Sequence, residues 1–302
     1  MDTISAVDIE GPIGIVAGNG IYPIDVAKEA KRLGHKVVVI GHIGEAAPEL
    51  VALADAIEWV HVGQLGRIIK LLKKHKVKSA AFAGGIKRLN FLGALRLDLR
   101  ALKLIAKLGS VRDDALLSGI SSELELEGFR VFAASEMLKD AVPSAGYLTT
   151  RRMTPEELAD ARVGWEVAKG IGSLDIGQTV VAYQQLVVAV EAIEGTDATI
   201  ARAGTVIGGS RRLSKKLKKD HGPIVVKLSK PQQDLRLDLP AIGPATIQSM
   251  IAANVTGLVV EANKCLVLGI EDVLSQANKA NISIFAVENK DQLAGPAVVS
   301  AM

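Results

Sequence analysis

Along the first half of the chain, apolar runs of four or five residues alternate with longer stretches whose apolar positions recur every three or four residues. Gly14-Ile15-Val16-Ala17, Lys36-Val37-Val38-Val39-Ile40, Ser79-Ala80-Ala81-Phe82 and Phe129-Arg130-Val131-Phe132 predict strands. Helices are predicted from Pro23 to about Gly34, from Gln64 to Lys76, from Leu95 to Leu108 and from Asp113 to Gly128. Strands separated by helices imply βαβ units, hence a Rossmann-like parallel sheet covered on both faces.

The segment Val142-Pro143-Ser144-Ala145-Gly146-Tyr147-Leu148-Thr149-Thr150 shows neither hydrophobic period, and residues 142–153 are expected to form a linker. Thr154-Pro155-Glu156-Glu157 then supplies a cap, a first-turn proline and early acids for a helix towards Gly170. Beyond it, Val180–Tyr183 and Leu186–Glu191 lie close enough for a hairpin. Further strands are expected at Ile224–Leu228, Leu258–Glu261, Cys265–Leu268 and Ile282–Phe285, with helices from Thr196, Thr246 and Asp272. The fold class is therefore α/β, in two domains. A Rossmann-like domain spans residues 1–141, and residues 154–302 form a catalytic α/β or α+β domain with a mixed sheet.

Length agrees, since 302 residues exceed the commonest domain size of about 150. Hydrophobic residues make up 49% of the chain, yet no apolar run approaches the ~20 residues of a membrane span. With no signal-peptide pattern after Met1 and one cysteine, Cys265, a reducing cytoplasmic compartment is expected. The balance of 36 basic against 33 acidic residues, with 3% aromatics, does not point to nucleic acid. One run stands out, Arg211-Arg212-Leu213-Ser214-Lys215-Lys216-Leu217-Lys218-Lys219. It is either a solvated face or an attractor of phosphate or an anionic membrane surface.

Gly18-Asn19-Gly20-Ile21-Tyr22-Pro23 resembles the start of a dinucleotide-binding loop, which offers backbone donors to phosphate at a helix N-terminus. A nicotinamide enzyme would follow its second strand with an acid for the ribose, whereas this chain has Gly41-His42-Ile43-Gly44, so an oxidoreductase is disfavoured. Gly84 and Gly85, before Lys87 and Arg88, form a second candidate site loop at the same rim. Asp113 and Asp114 open a helix, where acids cap free N–H groups or face a hydrated cation.

In the second half, Val190-Glu191-Ala192-Ile193-Glu194-Gly195-Thr196-Asp197 ends an apolar strand in several oxygen ligands just as a helix begins. The most informative stretch runs from Lys227 through Gln233-Asp234-Leu235-Arg236-Leu237-Asp238 to Pro240 and Gly243. Asp234, Arg236 and Asp238 share one face if extended, giving a phosphate clamp with a place for Mg²⁺ or an activated water. The alternative is a charged strand edge. The five histidines show no metal-ligand spacing, and neither a G-x-S-x-G elbow nor a Cys–His pair supports acyl transfer.

These segments, with Leu174-Asp175-Ile176-Gly177-Gln178, occur in an order that resembles the LpxI-type UDP-2,3-diacylglucosamine pyrophosphatases over nearly the whole chain. The resemblance implies Mg²⁺-dependent hydrolysis of UDP-2,3-diacylglucosamine to UMP and 2,3-diacylglucosamine 1-phosphate, by water attack on the β-phosphorus. It implies Asp238 as the essential acid, Asp234 beside it, and Gln233 and Arg236 as phosphate or metal-shell contacts. Lys227 joins the catalytic set. Gly18, Asn19, Gly20, Gly84, Gly85, Asp113, Gln178, Thr196 and Gln233 are the expected substrate contacts. Asp114, Glu194, Asp197, Asp234 and Asp238 are the expected Mg²⁺ ligands. An acylated sugar nucleotide fits peripheral contact with the inner membrane surface, and a homodimer is expected on general frequency. The alternative is a nucleotide-sugar binding or regulatory protein without turnover. One departure is Glu261-Ala262-Asn263-Lys264-Cys265, where the family reads closer to A-G-K-T.

Overall fold

In the computed structural model, residue 9 and residues 11–86, 95–108, 113–210, 221–232 and 239–294 are described. The chain divides into two compact units, with the boundary after Lys139.

The first unit is built on five parallel strands, β1 (Ile13–Ala17), β2 (Val37–His42), β3 (Ala56–Val60), β4 (Ser79–Ala83) and β5 (Arg130–Val131), in the order β3-β2-β1-β4-β5. This is the doubly wound order, with its switch point between β1 and β4. The strands read as continuous apolar runs because both faces are covered, which leaves Ile13, Ile15, Val37, Val39 and Ile40 without solvent contact. Helices α1 (Tyr22–Arg32) and α2 (Leu50–Leu53) belong to one layer. Helices α3 (Leu65–Lys74), α4 (Leu99–Leu108) and α5 (Asp113–Leu126) supply the other. Strand β3 was not foreseen. Its central Glu58 breaks the apolar run because it faces outward to Lys74 and His75 at a sheet edge.

At the switch point the two glycine loops knit together by backbone. The Gly18 N–H donates to the Ala83 carbonyl at 2.8 Å, and the Asn19 N–H to the Gly85 carbonyl at 2.7 Å. A Cβ on Gly18 would run into the Gly85 carbonyl oxygen, and one on Gly84 into that of Asn19. Both glycines are thus required by loop against loop.

The second unit holds a six-stranded mixed sheet, with helix α6 (Pro155–Ser173) between its first and second strands in the chain. Its strands are β6 (Gly146–Tyr147), β7 (Thr179–Tyr183), β8 (Leu186–Val190), β9 (Ile224–Lys227), β11 (Gly257–Glu261) and β13 (Ser283–Val287), in the order β6-β13-β11-β9-β7-β8. Strands β9, β11 and β13 are parallel, and β7 runs antiparallel to both β9 and β8. Strands β10 (Ala241–Ile242) and β12 (Leu266–Val267) pair separately. Helices α7 (Thr196–Gly209), α8 (Pro244–Ala252) and α9 (Ile270–Lys279) pack with the sheet face that carries Val225 and Leu258. Helix α6 covers the opposite face, against Val180 and Val226. It approaches so closely that a Cβ on Gly164 would stand 2.6 Å from the Val226 side chain.

Segment 142–153, expected as a linker, is instead built into this unit. Strand β6 pairs antiparallel with β13, and the Thr149 hydroxyl accepts from the Ile284 N–H at 2.8 Å. A two-residue edge strand offers no periodicity to read. The predicted cap of α6 forms, with the Thr154 hydroxyl accepting from the Glu157 N–H and the Glu157 carboxylate accepting from the Thr154 N–H. The hairpin between β7 and β8 turns on Gln184 and Gln185, both left-handed at φ 53° and 58°. The buried Asp160 carboxylate accepts from both their N–H groups, which holds a turn usually made with glycine.

We predict that Gly18→Ala lowers stability by about 1–3 kcal/mol through backbone overpacking. Gly208→Ala, where a Cβ meets nothing, should be neutral or slightly stabilising. Thermal denaturation of the two variants tests this, and equal midpoints would show that the loops yield freely.

Candidate functional site

Lys227 is the last residue of β9 and shares a sheet face with Val225, beneath α7. The residue is only 6% exposed. Its ammonium donates to the Thr196 hydroxyl at 2.8 Å, and Thr196 is the first residue of α7. That hydroxyl lies 2.9 Å from Glu191 Oε1 and 3.2 Å from Thr179 Oγ1. An ammonium only donates, so the Thr196 oxygen accepts from Lys227 and gives its single proton to Glu191. The Thr179 hydroxyl must then donate to Thr196. The other Glu191 oxygen accepts from the Gln178 N–H at 3.1 Å. Gly177 lies against the Glu191 backbone, since a Cβ there would strike the Glu191 carbonyl.

Beside this chain lies a second one. Glu261, at the end of β11 and 3% exposed, accepts from Lys169 of α6 at 2.8 Å, from Lys264 at 2.8 Å and from the Ser229 hydroxyl at 2.7 Å. Burial pushes the Glu261 carboxyl up, but the hydrogen bonds from Lys169, Lys264 and Ser229 outweigh it and hold the group below its usual range. Lys230 is buried against Asp175 at 2.6 Å, and Asp175 sits in the left-handed region at φ 58° just after α6. Burial pushes the Cys265 thiol up to about 12, with Lys227 partly opposing, so it is no nucleophile at neutral pH.

The carboxyl ends of β8, β9 and β11, the turn after α6 and the start of α7 therefore converge on a patch of buried lysines. Among the described residues the Lys227 ammonium makes one hydrogen bond and no direct carboxylate pair. The Gln178 Oε1 is likewise buried without a donor. The Lys227 ammonium, oriented by Thr196, suits an oxyanion such as a phosphate.

The LpxI N-terminal domain family matches residues 12–141, and the LpxI C-terminal domain family matches residues 144–285. The UDP-2,3-diacylglucosamine pyrophosphatase LpxI of Caulobacter vibrioides is 34% identical over 93% of this chain and 99% of that protein. The chain belongs to the LpxI family. Among solved structures, the biotin carboxylase subunit of pyruvate carboxylase gives a TM-score of 0.25 at 14% identity, covering 68% of this chain and 42% of that one. N5-carboxyaminoimidazole synthetase from Staphylococcus aureus, complexed with ADP, gives 0.24 at 15%, covering 59% and 40%. This chain spans less than half of either, and likenesses this low carry no argument about function.

In this LpxI-family chain, Lys227, Thr196 and the Gln178 N–H come together around Glu191. Glu191, from the run of oxygen ligands that ends its strand, completes the cluster with Glu261, Ser229, Lys230, Lys169 and Asp175, which were not chosen as site residues from the sequence. The available signal was an acid or base closing an apolar strand, as in Gly257–Glu261 and Ile224–Lys227. Gln233, Asp234, Arg236 and Asp238 lie outside the described residues, as do Lys87, Arg88 and the run 211–219. Asp113 and Asp114 open α5 as expected.

The expected phosphate donors of Gly18 and Asn19 are taken by Ala83 and Gly85, while Gly20 stands at φ 88° in the turn before α1. Asn19 donates its side-chain amide to Glu45. His42, at the end of β2, is linked to the Ala17 carbonyl at 3.1 Å, and burial holds its pKa below the usual imidazole value. Glu194, expected on a metal, instead accepts from Arg202 at 2.7 Å and from the Ala192 N–H, and its carboxyl is held low by backbone and Arg202 hydrogen bonds. Asp197 is exposed in the first turn of α7.

Because the folded Glu261 pKa lies below its ordinary value of 4.5, its contribution to stability is complete above that value and is lost as pH falls through the lower one. We predict that Glu261→Gln costs about 1–3 kcal/mol at neutral pH. The gap from the unsubstituted protein should shrink as the pH drops below that of an unfolded glutamate. Urea unfolding across pH measures it, and a pH-independent gap would contradict the ionic origin.

Proposed function

We propose that this chain hydrolyses UDP-2,3-diacylglucosamine to UMP and 2,3-diacylglucosamine 1-phosphate. The Caulobacter relative carries that pyrophosphatase name. The observation that carries the reading is the Lys227 ammonium, buried at the carboxyl end of a parallel strand and oriented by Thr196 and Glu191. A buried cation without a direct carboxylate partner among the described residues is completed by an anion, and a diphosphate supplies one.

In the proposed reaction a water oxygen bonds to the β-phosphorus while the bond from that phosphorus to the bridging oxygen breaks. UMP leaves with the bridging oxygen, and the water's proton passes to a carboxylate, for which Asp238 is the choice. Lys227 offsets negative charge on the diphosphate, and Arg236 serves as a second cation. Gln178 Oε1 accepts from a donor on the sugar. Asp234, Gln233 and Asp113 stay in the proposal as contacts near the phosphates.

Mg²⁺ is part of the proposal, but the described carboxylates do not fit it. Glu191, Glu261 and Asp175 are each held by a hydroxyl, a backbone N–H or a lysine, and no three His, Cys, Asp or Glu residues gather among the described residues. The hard oxygen ligands would have to be Asp234, Asp238 and Asp114 together with the substrate's phosphates.

Incubation with the substrate, with and without Mg²⁺, should release UMP. Asp238→Ala and Lys227→Met should each lower the rate by at least ~10²-fold, as for loss of a transition-state contact, without moving the thermal midpoint far. Chelation with EDTA should abolish release and added Mg²⁺ restore it. Absent UMP release would sink the reaction, and undiminished turnover in both variants would sink the roles given to Asp238 and Lys227.

A further inference from the structure

Helix α4 presents an outward face that the first unit does not cover. Leu99 is 78% exposed and Leu102 47%, one turn apart on that face, with exposed Lys103 and Lys107 next to them at helical spacing. A groove of about 420 Å³ runs along it, lined by Leu99, Lys103, Leu104 and Lys107 with Arg100 and Glu123. The helix Leu99–Leu108 holds no acidic residue. The acids that come near, Glu123 of α5 and Glu127 just after it, are already neutralised. Glu123 accepts from Arg100 at 2.8 Å, and Glu127 is paired with both Arg100 and Lys73. Lys103 and Lys107 make no ion pair among the described residues, so their charge is turned outward. At the α5 end that meets Arg100, Leu126 is also 75% exposed.

Exposed leucines beside lysines that have no ion pair among the described residues are, on one helix face, the chemistry of an interfacial helix, with apolar side chains entering the acyl boundary and ammonium groups meeting lipid phosphates. We propose that the α4 face of the first unit docks on an anionic phospholipid surface. Charge complementarity selects that occupant. A second copy of the chain would set Lys103 and Lys107 against like charge around any symmetric contact centred on this face. The choice of a lipid surface rests in part on the proposed lipid-linked substrate, which partitions into the same surface.

The test is co-sedimentation of the full chain with vesicles of phosphatidylglycerol mixed with phosphatidylcholine, against phosphatidylcholine alone, at low and high salt. The chain should bind the anionic vesicles, release at high salt, and leave neutral vesicles largely unbound. Lys103→Glu with Lys107→Glu should lower binding by at least ~10-fold, given the contribution of each basic residue near a charged surface. Leu99→Ser with Leu102→Ser should weaken it with the charges intact, and both variants should keep the thermal midpoint of the unsubstituted chain. Binding unchanged in both variants would overturn the proposal. So would a dimer in sedimentation velocity, without lipid, that the leucine variant dissociates. UMP release from detergent-dispersed substrate separates the two readings. The lysine variant should retain it, whereas absent release alongside intact vesicle binding would overturn the reaction and leave the surface standing.

Discussion

Burying an ammonium at the end of a strand constrains everything around it. Removing such a charge from water costs several kcal/mol unless hydrogen bonds and an opposite charge compensate. Here the compensation reaches Lys227 indirectly, because Glu191 is joined to it only through the Thr196 hydroxyl. The hydroxyl leaves the cation oriented but not neutralised by contact. A lysine bound straight to a carboxylate, as Lys230 is to Asp175, has most of its field quenched. Lys227 retains its field for a ligand, while Glu191 lowers the cost of keeping it buried.

Direction follows from proton count. Since Lys227 has no lone pair to offer, the Thr196 proton is committed to Glu191 and the Thr179 proton to Thr196. The network has one arrangement, so its dipoles need not reorient as charge develops, which is the condition under which a buried site stabilises a transition state. The Glu261 hub plays a comparable part for Ser229, Lys169 and Lys264, although Lys264 is half exposed and its pairing is weakened by solvent.

Much of this was legible in the sequence where the signal was local. The β1, β2 and β4 runs, the α6 cap and the β7–β8 hairpin are written in contiguous residues, as is the candidacy of Lys227, Thr196 and Gln178. What escaped was set by distant partners. The acid in β3 hid a strand because edge strands tolerate outward charge, and β6 hid in a presumed linker because two residues of antiparallel pairing need no pattern. The glycine loops were recognised as special, yet the reason lies in each other's carbonyls, and no local motif states that Gly18 and Gly85 meet. Lys169 and Glu261, 92 positions apart, come together only through sheet order.

That sheet order explains why a mixed topology suits the site. In a wholly parallel sheet only the carboxyl ends of strands meet at the ligand rim, and the start of a neighbouring strand lies at the opposite edge. Because β7 runs antiparallel to β9, Thr179 at its start pairs with Lys227 at the end of β9. Strand β8, antiparallel to β7, then delivers Glu191 to the same rim, and parallel β11 delivers Glu261. One reversed strand thus brings a strand start, with the Gln178 amide and the Thr179 hydroxyl, among strand ends that carry the charges. Neutral hydrogen-bonding groups and ions can then be interleaved within a single hydrogen-bond network, which a uniform strand direction would hold about the length of a strand apart.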